Sequence, residues 1–326
     1  MCNPTNPKPD PMKLRTELEI APYEWQIDHS TKIFSVGSCF ADNVAARLAG
    51  GGFRVEANPF GVMFNPASVA DTIERIASGN QFTESDFCSD GGRYFCYSLH
   101  GSFSSSSLPD SLARANRALG DGHNSLMVAD LVIITLGTAW VYEREGRVVA
   151  NCHKQPAAQF TRRKMSVEEI VERFCALIDG VLNEKRILFT VSPIRHLKDG
   201  LTENSLSKAI LRVAIDELCR RYPDRCHYFP AYELLVDDLR DYRFYAEDML
   251  HPSKQAVDYV WRKFTAATME PHTLEGVEAA ERYGRMVAHR IVDPTSPATA
   301  QFLENRYRER EKLLLRWPGI SLPSDE

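Results

Sequence analysis

The chain has 326 residues, 44% hydrophobic and 25% charged, the make-up of a folded globular protein and not of a disordered one. Lys and Arg number 39 against 44 Asp and Glu, a formal charge of -5, so nothing recommends nucleic acid or an anionic membrane surface as partner. No apolar run approaches the roughly 18 residues of a membrane span, and the opening MCNPTNPKPDPMKL lacks the apolar stretch of a secretory signal.

The cysteines stand at 2, 39, 88, 96, 152, 175, 219 and 226, with no CxxC pair to mark a zinc knuckle or a thioredoxin-type motif. A chain this long builds a core without disulfides, so a reduced, cytoplasmic protein with mostly buried cysteines is expected.

Residues 1–12 carry four prolines and no periodicity, and read as a flexible tail. KIFSVG (32–37) is a short apolar strand ending in Gly. ADNVAARLAGG (41–51) follows with helical spacing and a Gly stop. FRVEANPFG (53–61) is a second strand running into a turn, and VADTIERIAS (69–78) a helix. Residues 79–109 read as an insertion with a small hairpin and a polar loop, SFSSSS (102–107), that is either a lid or a plain solvent loop. SLARANRAL (111–119) resumes a helix.

DLVIITLG (130–137) is apolar without alternation, the mark of a central parallel strand buried on both faces. WVYEREGRVVANC (140–152) predicts a hairpin turning at Glu145-Gly146. Ser166 and Glu169 form a capping box for a helix over 166–182. RILFTVSP (186–193) is another buried strand, 203–222 a long helix, CHYFP (226–230) a short strand and 254–264 a helix. Strands alternating with helices predict a parallel sheet with helices on both faces. Beyond residue 270 two helices, 274–291 and 298–317, flank Asp293-Pro294. Phe302, Leu303, Tyr307, Leu313, Leu314, Leu315 and Trp317 are too much apolar surface to leave in water. They are expected to pack on the core or on a second subunit, as in a homodimer. The expected division is therefore a core over 13–268, with its insertion at 79–109, and a helical extension over 269–326.

Open parallel sheets place their sites at the carboxyl ends of strands. There stand Gly37-Ser38-Cys39, Asn58 to Gly61, Gly137-Thr138, Arg195-His196 and Asp248-Met-Leu-His251. A carboxylate three residues before an imidazole can reach its Nδ1 across a tight turn, which leaves Nε2 to take a proton from a nucleophile. Pro252 suits the start of the next helix. Arg195 either clamps an anion or pairs with Asp199 or Glu203 at the surface. His153, His196 and His251 are spaced too loosely for a zinc site, so neither metal nor cofactor is expected.

SVGSCFADN (35–43) resembles the motif for which the GSCFA-domain family is named, a family grouped with the SGNH, or GDSL-type, hydrolases. NPFGVMFNPAS (58–68), LVIITLGTAWVYE (131–143), VVANCHK (148–154), TVSPIRHLKDGLTENSLSKA (190–209) and YFPAYELLVDDLRDYRFYAEDMLHPS (228–253) are similar to further blocks of that family, in the same order. The resemblance covers about residues 13–265. It implies a three-layer α/β/α sandwich with a flavodoxin-like parallel sheet and a Ser-Asp-His type site. His251 would be the general base and Asp248 its orienting partner. Gapless superposition on Gly-Asp-Ser-Leu puts Cys39 at the nucleophile, and a shift of one residue would put Ser38 there. Beside His251 at a helix N-terminus, the Cys39 thiol is expected to fall toward thiolate. Ser38 otherwise reads as the helix N-cap. Gly61 would supply a second oxyanion donor. The third-block Asn of the wider pattern is absent, and Thr138 or Asn151 would replace it, with His153, Arg195 and His196 lining the pocket.

These implications lead to an acyl hydrolase or acyltransferase acting on an ester or thioester through an acyl-enzyme. Its substrate would be a small acyl compound, including an acyl carrier or CoA thioester. The alternative is a non-catalytic binding module for a small molecule or protein on the same scaffold, motivated by the missing Asn.

Overall fold

The computed structural model describes residues 15–324; the expected tail over 1–12 lies outside the described residues. In chain order, β1 (Lys32–Gly37) runs into α1 (Cys39–Gly50), and β2 (Arg54–Ala57) leads to α2 (Pro66–Ser78). The hairpin β3 (Cys88–Asp90) and β4 (Arg93–Phe95) precedes α3 (Leu108–Val128). After β5 (Leu131–Leu136) come β6 (Trp140–Arg144), β7 (Arg147–Val149) and β8 (Thr161–Lys164), a small antiparallel sheet. Then follow α4 (Val167–Asp179), β9 (Arg186–Val191), α5 (Gly200–Arg221), β10 (Cys226–Phe229) and the short α6 (Ala231–Glu233). The helices α7 (Lys254–Thr268), α8 (Pro271–Val287) and α9 (Pro297–Arg316) come last.

The centre is a parallel sheet of five strands in the order β2-β1-β5-β9-β10, flanked by helices. Counting only these core strands, the order is 2-1-3-4-5, one of the two common doubly wound orders. The unbroken apolar runs have a direct cause. In β5, Val132, Ile134 and Leu136 enter the cluster packed with α2, α3, α4 and α5. Leu131 and Ile133 enter the opposite cluster, packed with α1 and α7. Period-two alternation with both faces buried favours apolar side chains at successive positions, and the polar Thr135 in this strand is small and fully buried.

The winding sense reverses between β1 and β5. From β1 the chain steps outward to β2, and from β5 it steps the other way to β9. The crevice at their carboxyl ends is where such sheets bind ligands, and it holds Ser38-Cys39 and Gly137-Thr138.

Two features depart from the sequence reading. The polar run 102–107 is pinned down: Tyr94 and Ser105 exchange backbone hydrogen bonds of 2.7 and 3.2 Å. Arg114 holds the carbonyl oxygens of Ser102 and Phe103, and Ser107 caps α3. It is neither a lid nor a free loop. In α9 the apolar surface is only partly covered. Leu313 and Trp317 pack on Ala279, Ala280 and Tyr283 of α8. Leu315 remains 83% exposed and Tyr307 59%. The α8 helix in turn packs on α1, and the Ser321 N–H donates to the Gly52 carbonyl at 2.7 Å.

Candidate active site

The turn from β1 into α1 is set by Gly37, at φ +141°, where any Cβ would lie 2.1 Å from the Thr135 carbonyl oxygen. Its N–H donates to Asn58 Oδ1 at 2.8 Å, and Asn58 Nδ2 donates to Asp42 Oδ1 at 2.6 Å. Asn58 itself is in the left-handed region, at φ +45°. This cross-link between two strand ends fixes the backbone that presents Ser38 and Cys39.

Ser38 is fully buried, and its hydroxyl caps α1 by accepting from the Phe40 N–H at 3.3 Å. Cys39 is the first helical residue and half-buried. Its Sγ lies 3.9 Å from Nε2 of His251. Consecutive residues leaving a strand diverge, so one side chain caps the helix while the next faces the imidazole.

On the far side, Asp248 Oδ2 lies 2.6 Å from His251 Nδ1. Asp248 Oδ1 accepts from the Leu250 and His251 N–H groups at 2.9 and 3.0 Å. Those bonds, the backbone ones first, hold its carboxyl at about 2. An ionised carboxylate only accepts, so Nδ1 carries a proton and Nε2 is the ring nitrogen that faces Cys39. Met249, at φ +57°, makes the tight turn, and the bond from the Ala246 N–H to the His251 carbonyl, 2.8 Å, closes it from outside.

The expected fall of the thiol toward thiolate is corrected. Burial, the largest cause, pushes the Cys39 thiol up, and Asp42 adds to this. The N–H groups at the start of α1 and the Lys208 cation act the other way without prevailing. Cys39 therefore rests as a thiol, and His251 must take its proton during attack.

Lys208 is the group sequence reasoning missed. It is 2% exposed, and its Nζ donates to the carbonyls of Gly137 and Ser192, both at 2.6 Å. Burial, the largest cause, pulls it down to about 7, and the neighbouring Cys39 acts the other way. It ties the ends of β5 and β9 together beneath the thiol. A lysine on an α5 face that also carries Asn204, Ser207 and Leu211 was the one available signal.

Several expected oxyanion and pocket residues are committed elsewhere. The Gly61 N–H is spent in a turn, donating to the Asn58 carbonyl at 2.7 Å. The glycine is needed there for another reason: at φ +82° a Cβ would lie 2.2 Å from the Cβ of His100. The Thr138 hydroxyl pairs with Ser207 Oγ at 3.0 Å and accepts from the Trp140 N–H, so it braces β6 against α5. Asn151 Oδ1 accepts from the His153 N–H at 2.8 Å, and His153 Nε2 lies 2.8 Å from the Cys96 carbonyl. Asn151 and His153 line a cavity of about 430 Å³ beside the insertion, whose lining does not include Cys39. The Cys39 N–H, at the first position of α1, is left as the backbone donor beside the nucleophile.

His196 and Arg195 are the expected pocket residues that stay near. His196 Nε2 has no hydrogen-bond partner among the described residues and packs over Gly137, 3.0 Å from where a Cβ would stand. Burial first, then Lys208 and His251, lower it to about 4, so the ring is neutral. The expected surface pairing of Arg195 is corrected: Asp199 pairs with Arg162, and Glu203 with Lys164 at 2.7 Å. Arg195 instead lies on the Tyr245 ring at 3.9 Å. Among the described residues no group of three or more His, Cys, Asp or Glu is arranged to hold a metal ion, and no helix is long and apolar enough to cross a membrane.

The model of the GSCFA family matches residues 32–264, a span that includes Cys39, Asp248 and His251. No curated protein matches the chain.

Proposed function

The chain belongs to the GSCFA family, and from that premise we propose an acyl hydrolase or acyltransferase that works through an acyl-enzyme on Cys39, on a scaffold akin to the SGNH, or GDSL-type, hydrolases. The observation that carries this reading is the line Cys39 Sγ, His251, Asp248, with gaps of 3.9 and 2.6 Å. Nucleophile, base and orienting carboxylate stand in the order acyl transfer needs.

In the first step His251 Nε2 takes the thiol proton as Sγ bonds to the carbonyl carbon of an ester or thioester. Negative charge gathers on the carbonyl oxygen, and the Cys39 N–H at the start of α1 faces it. The tetrahedral adduct collapses, the bond to the leaving oxygen or sulfur breaks, and His251 returns the proton to that group. Water, or a second alcohol, amine or thiol, then releases the acyl group by the same steps in reverse roles. A thiol nucleophile favours transfer between carriers, since thioester exchange is nearly isoenergetic. Asp248, ionised throughout, keeps the ring in the productive tautomer.

A second reading is a non-catalytic binding module. It is favoured by the engagement of the Gly61 N–H and the Thr138 hydroxyl, which leaves the oxyanion thinly served. Incubation with p-nitrophenyl acetate separates the two. The acyl-transfer reading expects a mass adduct on Cys39, lost in Cys39→Ala and in His251→Ala. No adduct across a range of acyl chain lengths would leave the binding module.

A further inference from the structure

We infer that the substrate carries an anionic group, a carboxylate or a phosphoryl, which Arg195 holds beside the acyl bond under attack. This rests on the acyl-transfer reading above.

Among the described residues Arg195 has no carboxylate within ion-pair distance. The two carboxylates nearest in sequence are taken, Asp199 by Arg162 and Glu203 by Lys164. Asp241 is paired with Arg243 at 2.8 Å, Glu233 with Arg212 at 3.2 Å, and Asp248 with His251. The guanidinium lies on the Tyr245 ring at 3.9 Å and 5.1 Å from that of Tyr242. Stacking uses the flat face of a guanidinium and leaves edge N–H donors for a planar acceptor. The Tyr245 hydroxyl competes for one of them.

The shelf is rigid and attached to the catalytic turn. Tyr245 is 8% exposed and bridges Pro252 across the loop. The Arg195 N–H donates to the Leu250 carbonyl at 3.2 Å, so the residue is stapled to the turn holding Asp248 and His251. A half-buried cation whose face is already stacked, and whose donors are preorganised, is the arrangement that recognises carboxylate and phosphoryl groups. Its backbone is tied to the residue that precedes His251, the base that serves Cys39.

The test compares acylation of Cys39 by mono-p-nitrophenyl glutarate with that by neutral p-nitrophenyl valerate. Each rate is divided by that with a free small thiol, which removes intrinsic reactivity. The expected ratio of anionic to neutral probe is roughly 10 to 100 in the wild type, the range of one or two charge-assisted hydrogen bonds. It should collapse toward one in Arg195→Gln and recover in part in Arg195→Lys, which keeps the charge and loses the fork. The p-nitrophenyl ester of 3-phosphonopropionate distinguishes phosphoryl from carboxylate preference. If Arg195→Gln does not fold, protection of the wild type against the glutarate probe by free glutarate or inorganic phosphate, at matched ionic strength in chloride, reads the same subsite. A wild-type ratio near one without anion protection, or a ratio that survives Arg195→Gln, would overturn the anionic subsite and leave acyl transfer standing. Absence of any Cys39 adduct from every probe would overturn the acyl-transfer reading and the subsite with it.

Discussion

Replacing Asn58 by Ala should destabilise the fold by about 3 kcal/mol, although the residue touches neither His251 nor Asp248. Asn58 is 8% exposed, and its Oδ1 is the acceptor for the Gly37 N–H at 2.8 Å. Ala leaves that buried N–H without a partner, a loss of about 1–3 kcal/mol. Asn58 also sits at φ +45°, a conformation Asn tolerates and Ala resists by about 1–2 kcal/mol. The bond to Asp42 adds little, because Asp42 is exposed. Asn58→Gly removes the hydrogen bond and keeps the backbone relaxed, so it should cost about 1 kcal/mol less than Ala. Urea unfolding of the three proteins, read as midpoints at constant slope, measures both differences. The same loosening frees the turn that aims Cys39, so iodoacetamide should alkylate it at a changed rate. An Asn58→Ala loss below about 1 kcal/mol, or a Gly variant no better than the Ala variant, would refute the argument that this side chain fixes the turn.

Ser38→Ala should cost about 1 kcal/mol, the loss of an N-cap, and keep the acyl adduct, whereas Cys39→Ala should abolish it by mass spectrometry; the reverse pattern would make the hydroxyl the nucleophile. Because burial raises the Cys39 thiol above its ordinary 9.0, alkylation by iodoacetamide should still be climbing at that pH; a plateau below neutrality would instead indicate a preformed thiolate–imidazolium pair. Lys208 is lowered to about 7 in the folded chain from 10.5, so between these values the unfolded chain binds more protons. Stability should therefore rise with pH across that window, and Lys208→Met should flatten the rise in urea titrations at matched pH. Truncation after residue 270 uncovers the α1 surface on which Val277 and Ala280 pack, and should lower solubility or the unfolding midpoint.

The core strands were legible in the sequence because their signal is local. KIFSVG, DLVIITLG and RILFTVSP carry consecutive apolar residues, broken only by small polar ones such as Ser35, Thr135 and Thr190, because both faces are covered and period-two geometry sends neighbouring side chains to opposite faces. The capping box of α4 was legible for the same reason: Ser166 and Glu169 exchange bonds of 3.2 and 2.7 Å within one turn. So was the three-residue spacing of Asp248 and His251, which needs only a tight turn to bring the ring nitrogen to the carboxylate. What the sequence left open was which donors remain free. Gly61, Thr138 and Asn151 are the right residue types near the right strand ends, but the Gly61 N–H and the Asn151 Oδ1 are taken up in local turns by Asn58 and His153, and the Thr138 hydroxyl by Ser207, 69 residues away, which only the folded chain brings to it. Lys208 acquires its place from two carbonyls on two different strands, 71 and 16 residues away. The thiol of Cys39 is set by burial, which a helix N-terminus read from the sequence does not reveal. Local periodicity and turn chemistry are written within a few residues; the competition for hydrogen bonds, and the desolvation of a charge, belong to contacts between residues far apart in the chain.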